Sequence, residues 1–295
     1  MIWIVGANGM LGRETAQILA ENGLEYCTTD AETDITDIGR VKEFIKEKRF
    51  SHIINCAAYT AVDAAEDDFE KAMAINGYGV ANLAFAAVVL DACLIHISTD
   101  YVFDGDLDEP LTEENAVNPI GIYGKTKLLG EYAIELSALK NYFIIRTAWL
   151  YGKHGKNFVN TMLNLMNAKE SLGVVADQWG SPTWARDLAK FITLIVKDGG
   201  AGDCGTYHYS GGGKTNWYEF AVKIYEYGRK TGIIGKECKV NALTTEQYPT
   251  KAKRPKYSYL SKEKAEKTFG IIPPEWEDSL MEYIRLNCSE TLQEK

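Results

Sequence analysis

The chain has no Cys-x-x-Cys pair, no excess of positive charge, no internal repeat and no uninterrupted apolar run of membrane-spanning length. Each absence removes a class of function. Six cysteines (Cys27, Cys56, Cys93, Cys204, Cys238 and Cys288) and four histidines show none of the spacings of a metal site. The cysteines read as reduced thiols, and no metal is expected. A net charge of −9 argues against a nucleic-acid partner or an anionic membrane surface. The opening "MIWIVGANGML" lacks a basic leader and is soon broken by glycine and asparagine, so it does not read as a signal peptide. The longest apolar run, residues 83–90, is far too short for a bilayer. With 295 residues of ordinary globular composition, the expectation is a cytoplasmic protein of one large or two modest domains.

What is present has an order. Short apolar runs at 2–5, 24–29, 52–57, 94–98 and 142–147 alternate with helical patterns near 10–22, 39–49, 66–91 and 122–139. Such alternation predicts an α/β fold, a doubly wound parallel sheet covered on both faces. Beyond residue 150 the pattern loosens, and "YHYSGGGKTNW" (207–217) and "TKAKRPKYSYL" (250–260) read as polar loops. The expected division is a nucleotide-binding domain over 1–150 and a smaller substrate-binding portion over 151–295, interleaved with the first. Ligands of such sheets sit at the C-terminal ends of the strands, so the motifs are sought there.

The first strand runs into "GANGMLG", which places Gly6, Gly9 and Gly12 before a helix. Glycine permits the tight turn and lets backbone N–H groups approach a pyrophosphate, and the helix N-terminus adds partial positive charge. The spacing is G-x-x-G-x-x-G rather than the commoner G-x-G-x-x-G. Asp30 ends the second strand, where a carboxylate suits ribose hydroxyls and repels a 2′-phosphate. The expected cofactor is therefore NAD(H), with NADP(H) left open. Asp34 and Ile35 are candidates to flank the adenine. Ala57 and Ala58, ending the third strand, leave room for a dinucleotide, although ordinary packing explains small residues there equally well.

The fourth strand ends in "ISTDYVFDG", and "GIYGKTKLLGE" follows, with Tyr123 and Lys127 one helical turn apart. Reduction of a ketone leaves negative charge on oxygen, which a phenol protonates as it forms. Free tyrosine has a pKa of ~10, and a neighbouring ammonium lowers it. Thr99, at the strand end, is placed to hold the carbonyl. Thr99, Tyr123 and Lys127 are the expected catalytic set.

These residues, with "CAAYTAVDAAE", "NPIGIYGKTKLLGE", "RTAWLYG", "NFVNTML", "DQWGSPT" and "KRPKYSYL", resemble the extended short-chain dehydrogenase/reductases, and within them the dTDP-4-dehydrorhamnose reductases. The resemblance implies a Rossmann-type fold and NAD(P)H-dependent reduction at C4 of dTDP-4-dehydro-β-L-rhamnose. It also implies a small nucleotide-sugar substrate and a monomer or homodimer. It carries Gly9, Met10, Leu11, Asp30, Asp34, Ile35, Ala57, Ala58 and Tyr59 over as cofactor contacts, joined by Gly6, Gly12, Tyr123 and Lys127. Thr99, Asp100, Tyr101 and Trp149 become sugar-facing. Tyr59 stands where the family often has histidine. Some members bind magnesium at a dimer interface, and no residue here carries that over. Lys251, Lys253, Arg254 and Lys256 supply cations to an otherwise acidic chain, and Arg254 is the candidate for the diphosphate. Asn157 and Gln178 are weaker candidates. Two rival readings remain at this stage: another nucleotide-sugar enzyme such as a 4-epimerase, and a non-catalytic subunit like the regulatory β-subunit of methionine adenosyltransferase.

Overall fold

A computed structural model describes residues 1–198 and 203–291, with side chains through residue 286. The apolar runs become strands, the inner ones buried on both faces as parallel pairing requires and the edge strand at Tyr26–Thr29 only partly so. They are β1 (Ile2–Val5), β2 (Tyr26–Thr29), β3 (His52–Asn55), β4 (Cys93–Thr99), β5 (Tyr142–Thr147) and β6 (Gly205–His208). All pair in parallel, in the spatial order β2-β1-β3-β4-β5-β6. The chain reverses direction of travel across the sheet at β1, so a crevice opens between the ends of β1 and β3.

The covering helices are α1 (Met10–Glu21), α2 (Ile38–Ile45), α3 (Phe69–Leu90), α4 (Ile122–Glu135), α5 (Phe158–Ala168), α6 (Ala185–Asp198) and α7 (Trp217–Lys230). Successive strand residues point to opposite faces. Ile2 and Ile4 therefore pack with Ile18, Leu19, Leu188 and Ile192 of α1 and α6. Trp3 and Val5 pack with Val41, Ile45, Val80 and Leu83 of α2 and α3 on the other face. A separate core of Tyr151, Val159, Met162, Phe220, Ile224 and Trp276 consolidates the C-terminal part.

Three departures from the sequence expectation matter. The segment 207–217, expected as a loop, contains the end of β6, which pairs with β5 from Gly205 opposite Phe143 to His208 opposite Arg146. Four residues beside a glycine run carry too little pattern to announce a strand. The apolar run at 83–90 lies within a 22-residue helix whose mean hydropathy of 1.6 suits a bilayer by length and composition. Here its small residues Ala84, Ala86 and Ala87 are buried in the core against the sheet. Finally, α3 is interrupted at Ala74–Tyr78 by a π turn. Such turns are rare and often mark functional sites. This one carries the fully buried Asn76, whose amide accepts from Tyr59 N at 2.8 Å and donates to Tyr59 O and Thr126 Oγ1, both at 3.1 Å. One side chain thus ties the loop after β3 to α4.

Helix α4 lies so close to this turn that a Cβ at Gly130 would sit 2.3 Å from Asn76 O. A backbone atom in the middle of a packed helix pair cannot simply move aside. We expect Gly130→Ala to destabilise the fold by about 1–3 kcal/mol despite the better helix propensity of alanine. Gly235→Ala, where no atom lies within 4 Å, serves as the control and should be near neutral. Urea denaturation of both variants reads the difference.

Candidate active site

The first βα turn is built as a cradle. Gly6 has φ +74°, and a Cβ there would meet Ala57 N at 2.6 Å; one at Gly12 would meet Gly6 O at 2.3 Å. Both glycines are required by the protein itself. Gly9 is different: its nearest neighbour to a built Cβ is Gly6 O at 3.3 Å. Gly9 caps α1 without a side chain, and helix geometry leaves the N–H groups of Met10, Leu11 and Gly12 without intrahelical acceptors. Beside them lies a cleft of about 570 Å³ whose lining includes Gly6, Gly9, Asp30, Asp34, Ile35, Ala57 and Ala58. An uncapped helix start at the rim of a cleft this size fits a dinucleotide with its pyrophosphate on the helix.

Sequence reasoning missed Asn8, Thr33, Cys56 and Ile75 in the same lining. Their residue types carry no signal of their own, and only the turn and the strand ends bring them there. Asp30 also has a structural task, since its carboxylate accepts from Asn8 N and from Ala31 N, each at 2.9 Å. Met10 and Leu11 turn their side chains into the core, so any cofactor contact is through backbone. Tyr59 is absent from the cleft lining, and its phenol instead reaches Asp68 at 3.4 Å. The Asn76 clamp holds the Tyr59 backbone in place.

The residues expected to be catalytic lie at the end of β4 and in the first two turns of α4. Helix α4 starts at Gly121, which has no side chain to cap it; Glu66 supplies the missing acceptor to Ile122 N at 2.9 Å. Tyr123 and Lys127 follow on one face. Lys127 is 1% exposed and donates to Ile97 O at 2.6 Å. It faces Cys56 of the cleft wall and Glu131 on its own helix, and burial lowers its pKa to about 8. Thr99 Oγ1 donates to Asp100 Oδ1 at 3.0 Å and accepts from Tyr101 N at 3.2 Å. Desolvation pushes the Tyr123 phenol up to about 12; the Thr99 hydroxyl opposes this in part, and the Asp100 carboxylate reinforces it. The expected lowering by Lys127 is not what dominates here: burial is, and it keeps the phenol protonated. The Tyr101 ring stands edge-on to Tyr123, with centroids 5.4 Å apart.

Residues 1–288 match the RmlD substrate binding domain family. The dTDP-4-dehydrorhamnose reductase of Aggregatibacter actinomycetemcomitans is 40% identical over 282 residues, covering 94% of this chain and 96% of that protein. Among solved structures, a dTDP-4-dehydrorhamnose reductase from Clostridium acetobutylicum superposes with a TM-score of 0.90 at 47% identity, covering 97% of this chain and 98% of that one. The Bacillus anthracis enzyme, solved in complex with NADP, gives 0.89 at 39% identity over 96% and 97%. The chain belongs to the dTDP-4-dehydrorhamnose reductase family. The expected oxidoreductase class and Rossmann-type fold are borne out with it.

Among the residues expected to face the sugar, Trp149 adopts φ +49°, a left-handed backbone that a bulky residue rarely takes. It is held by stacking on Trp217, centroids 3.8 Å apart, and by the bare face of Gly180, where a Cβ would lie 2.8 Å from the indole. Arg254 lines a second cleft of about 330 Å³ with Lys253 and Lys256. Its fork grips Asp63 at 2.7 and 3.1 Å, so the anion it reads here is a carboxylate of the chain itself. Lys251 pairs with Asp67. Asn157 caps α5 through Asn160 N and holds Gly152 O; Gln178 donates to Thr245. Both are explained by structure. The five cysteines with described side chains are free thiols; Cys288 lies outside those residues.

Asp100 is 3% exposed, and burial raises its pKa to about 6 against hydrogen bonds from Ser258 and Thr99 that favour the ion. A carboxyl whose folded pKa lies above its unfolded value of 3.8 costs nothing below pH ~4 and a growing amount as it ionises toward pH ~7. We expect Asp100→Asn to gain stability relative to wild type on going from pH 4 to pH 8, by up to roughly 3 kcal/mol. Paired urea melts at the two pH values measure it.

Proposed function

We propose that the chain reduces the C4 ketone of dTDP-4-dehydro-β-L-rhamnose to dTDP-β-L-rhamnose with a nicotinamide cofactor, as a cytoplasmic enzyme supplying sugar for cell-surface polysaccharide. The observation that supports this reading is that Tyr123 meets the Thr99 hydroxyl while Lys127 meets Cys56 in the wall of a dinucleotide-sized cleft, in a chain of this reductase family. The cofactor, when bound, supplies a hydride to the carbonyl carbon. The rest belongs to the chain. Thr99 holds the carbonyl oxygen through its hydroxyl. Tyr123 gives its phenolic proton to that oxygen as negative charge develops, and the burial that keeps the phenol neutral suits a donor in this direction. Lys127, charged, would favour the tyrosinate left behind. Asp100, Tyr101 and Trp149 border the reacting end, and the Lys253, Arg254 and Lys256 cleft is offered to the diphosphate. For Arg254 this means exchanging Asp63 for phosphate or reading both. In this division of labour residues 1–150 serve the cofactor and supply Thr99, Asp100, Tyr101, Tyr123 and Trp149, while residues 151–295, interleaved with them through α6 and β6, add the Lys253, Arg254 and Lys256 cleft.

Substrate-dependent NADH or NADPH oxidation, with the 4-keto sugar generated in situ, is the direct test. Tyr123→Phe should lower kcat by ~10²–10⁴ while leaving cofactor binding intact. No oxidation of either cofactor by protein shown to bind it would overturn the substrate assignment. Asp30 opposes a 2′-phosphate by like charge, so we expect kcat/KM to favour NADH. Asp30→Asn should then raise the NADPH-to-NADH ratio by about tenfold, with the lost Asn8 contact common to both cofactors.

A further inference from the structure

Lys127 is joined to a buried chain of polar groups that the reaction as written does not use. Its Nζ lies 3.2 Å from Nε2 of His96, which is fully buried in β4. The other ring nitrogen of His96 lies 3.0 Å from Nδ2 of Asn55, at the end of β3 and 1% exposed. The orientation of the Asn55 amide is fixed independently, because its Oδ1 accepts the backbone N–H of Ala57 at 3.0 Å. With its oxygen on a donor, the amide offers only N–H to the imidazole, so His96 Nδ1 accepts. A neutral imidazole then carries its proton on Nε2, aimed at Lys127.

An ammonium has only N–H groups to present and cannot accept that proton. A neutral amine can, and its own N–H still serves Ile97 O. Burial works in the same direction: it holds His96 well below its ordinary range and lowers Lys127. Against it stands Glu131 on the same helix, a carboxylate shared with Ser98 and Arg146; Cys56, just beyond the end of β3, is held as a neutral thiol by burial, which pushes its pKa up to about 12.

We propose that His96 is a positioning residue whose tautomer is set by Asn55, and that its Nε2–H opposes the ammonium form of Lys127, so that charging Lys127 breaks the His96 contact. The catalytic consequence rests on the role given to Lys127 above; the tautomer does not.

The first measurement is therefore spectroscopic. Long-range proton–nitrogen correlation on protein labelled in its four histidines, with His96→Gln to assign the peak, should show Nε2 protonated and Nδ1 bare from pH 6 to 9. A proton on Nδ1, or an imidazolium, overturns the proposal. The second measurement is the alkaline limb of kcat/KM. Asn55→Asp lets a carboxylate take the Nδ1 proton and turns Nε2 into an acceptor for the ammonium. That variant should move the limb up by about one unit, and His96→Leu should move it in the same direction by less. A limb unmoved in both overturns the proposal. If the protein reduces no 4-keto sugar, the proposed function fails while the wild-type spectrum still decides the tautomer; the same spectrum decides if the variants do not fold.

Discussion

Helix α4 is fastened to the sheet by two buried side chains one turn apart, and the position of Tyr123 follows from that fastening. Lys127 reaches the Ile97 carbonyl of β4, and Glu131 reaches Ser98 of β4 and the forked guanidinium of Arg146 on β5. Tyr123, Lys127 and Glu131 share one helix face. Once the lower two are anchored, the upper one has little freedom over the end of β4, where Thr99 lies. The Glu131–Arg146 pair is inaccessible to water, with side chains 1% and 6% exposed. Removing one partner of such a pair costs about 3–5 kcal/mol, because the other charge is left buried without compensation. The anchor is stiff for that reason.

The adjacent face of α4, with Thr126 and Gly130, is pressed onto the π turn of α3, with Gly130 giving the clearance and Asn76 occupying it. Asn76 also holds the loop after β3, from which Ala57 packs beneath Gly6. The cofactor cradle and the catalytic helix are thus two ends of one chain of close contacts. A change in either is felt at the other, since packed backbone has no slack to absorb it.

Burial also sets the chemistry. Tyr123, Lys127, Asp100 and His96 are all driven toward their neutral forms by desolvation. For a proton donor this is the useful direction, and it makes the neutral phenol the resting state. Glu131 and Arg146, both buried, are paired with each other and serve to hold position.

Much of this was legible in the sequence. Strands 2–5, 52–57 and 142–147 announced themselves through apolar β-branched runs, and Gly6, Gly12, Asp30 and the Tyr123/Lys127 pair through spacing, because local geometry and helical period are written residue by residue. The family followed from motifs in a fixed order along most of the chain. Strand β6 escaped, being four residues whose only reason to be a strand is the edge of β5 beside it. So did Glu66 as the cap of α4, Asn76 as a clamp, the committed state of Arg254 on Asp63 and the outward turn of Tyr59. Each depends on a partner outside its own element, from 9 residues away for Tyr59 to 191 for Arg254. The sequence by itself determined the alternation of elements, the glycine turn and the residues capable of chemistry, since these rest on period and on side-chain type. Tertiary structure alone decided which of those residues are buried, which donors meet which acceptors and therefore which groups carry a proton, because desolvation and hydrogen-bond partners exist only once distant segments have packed together.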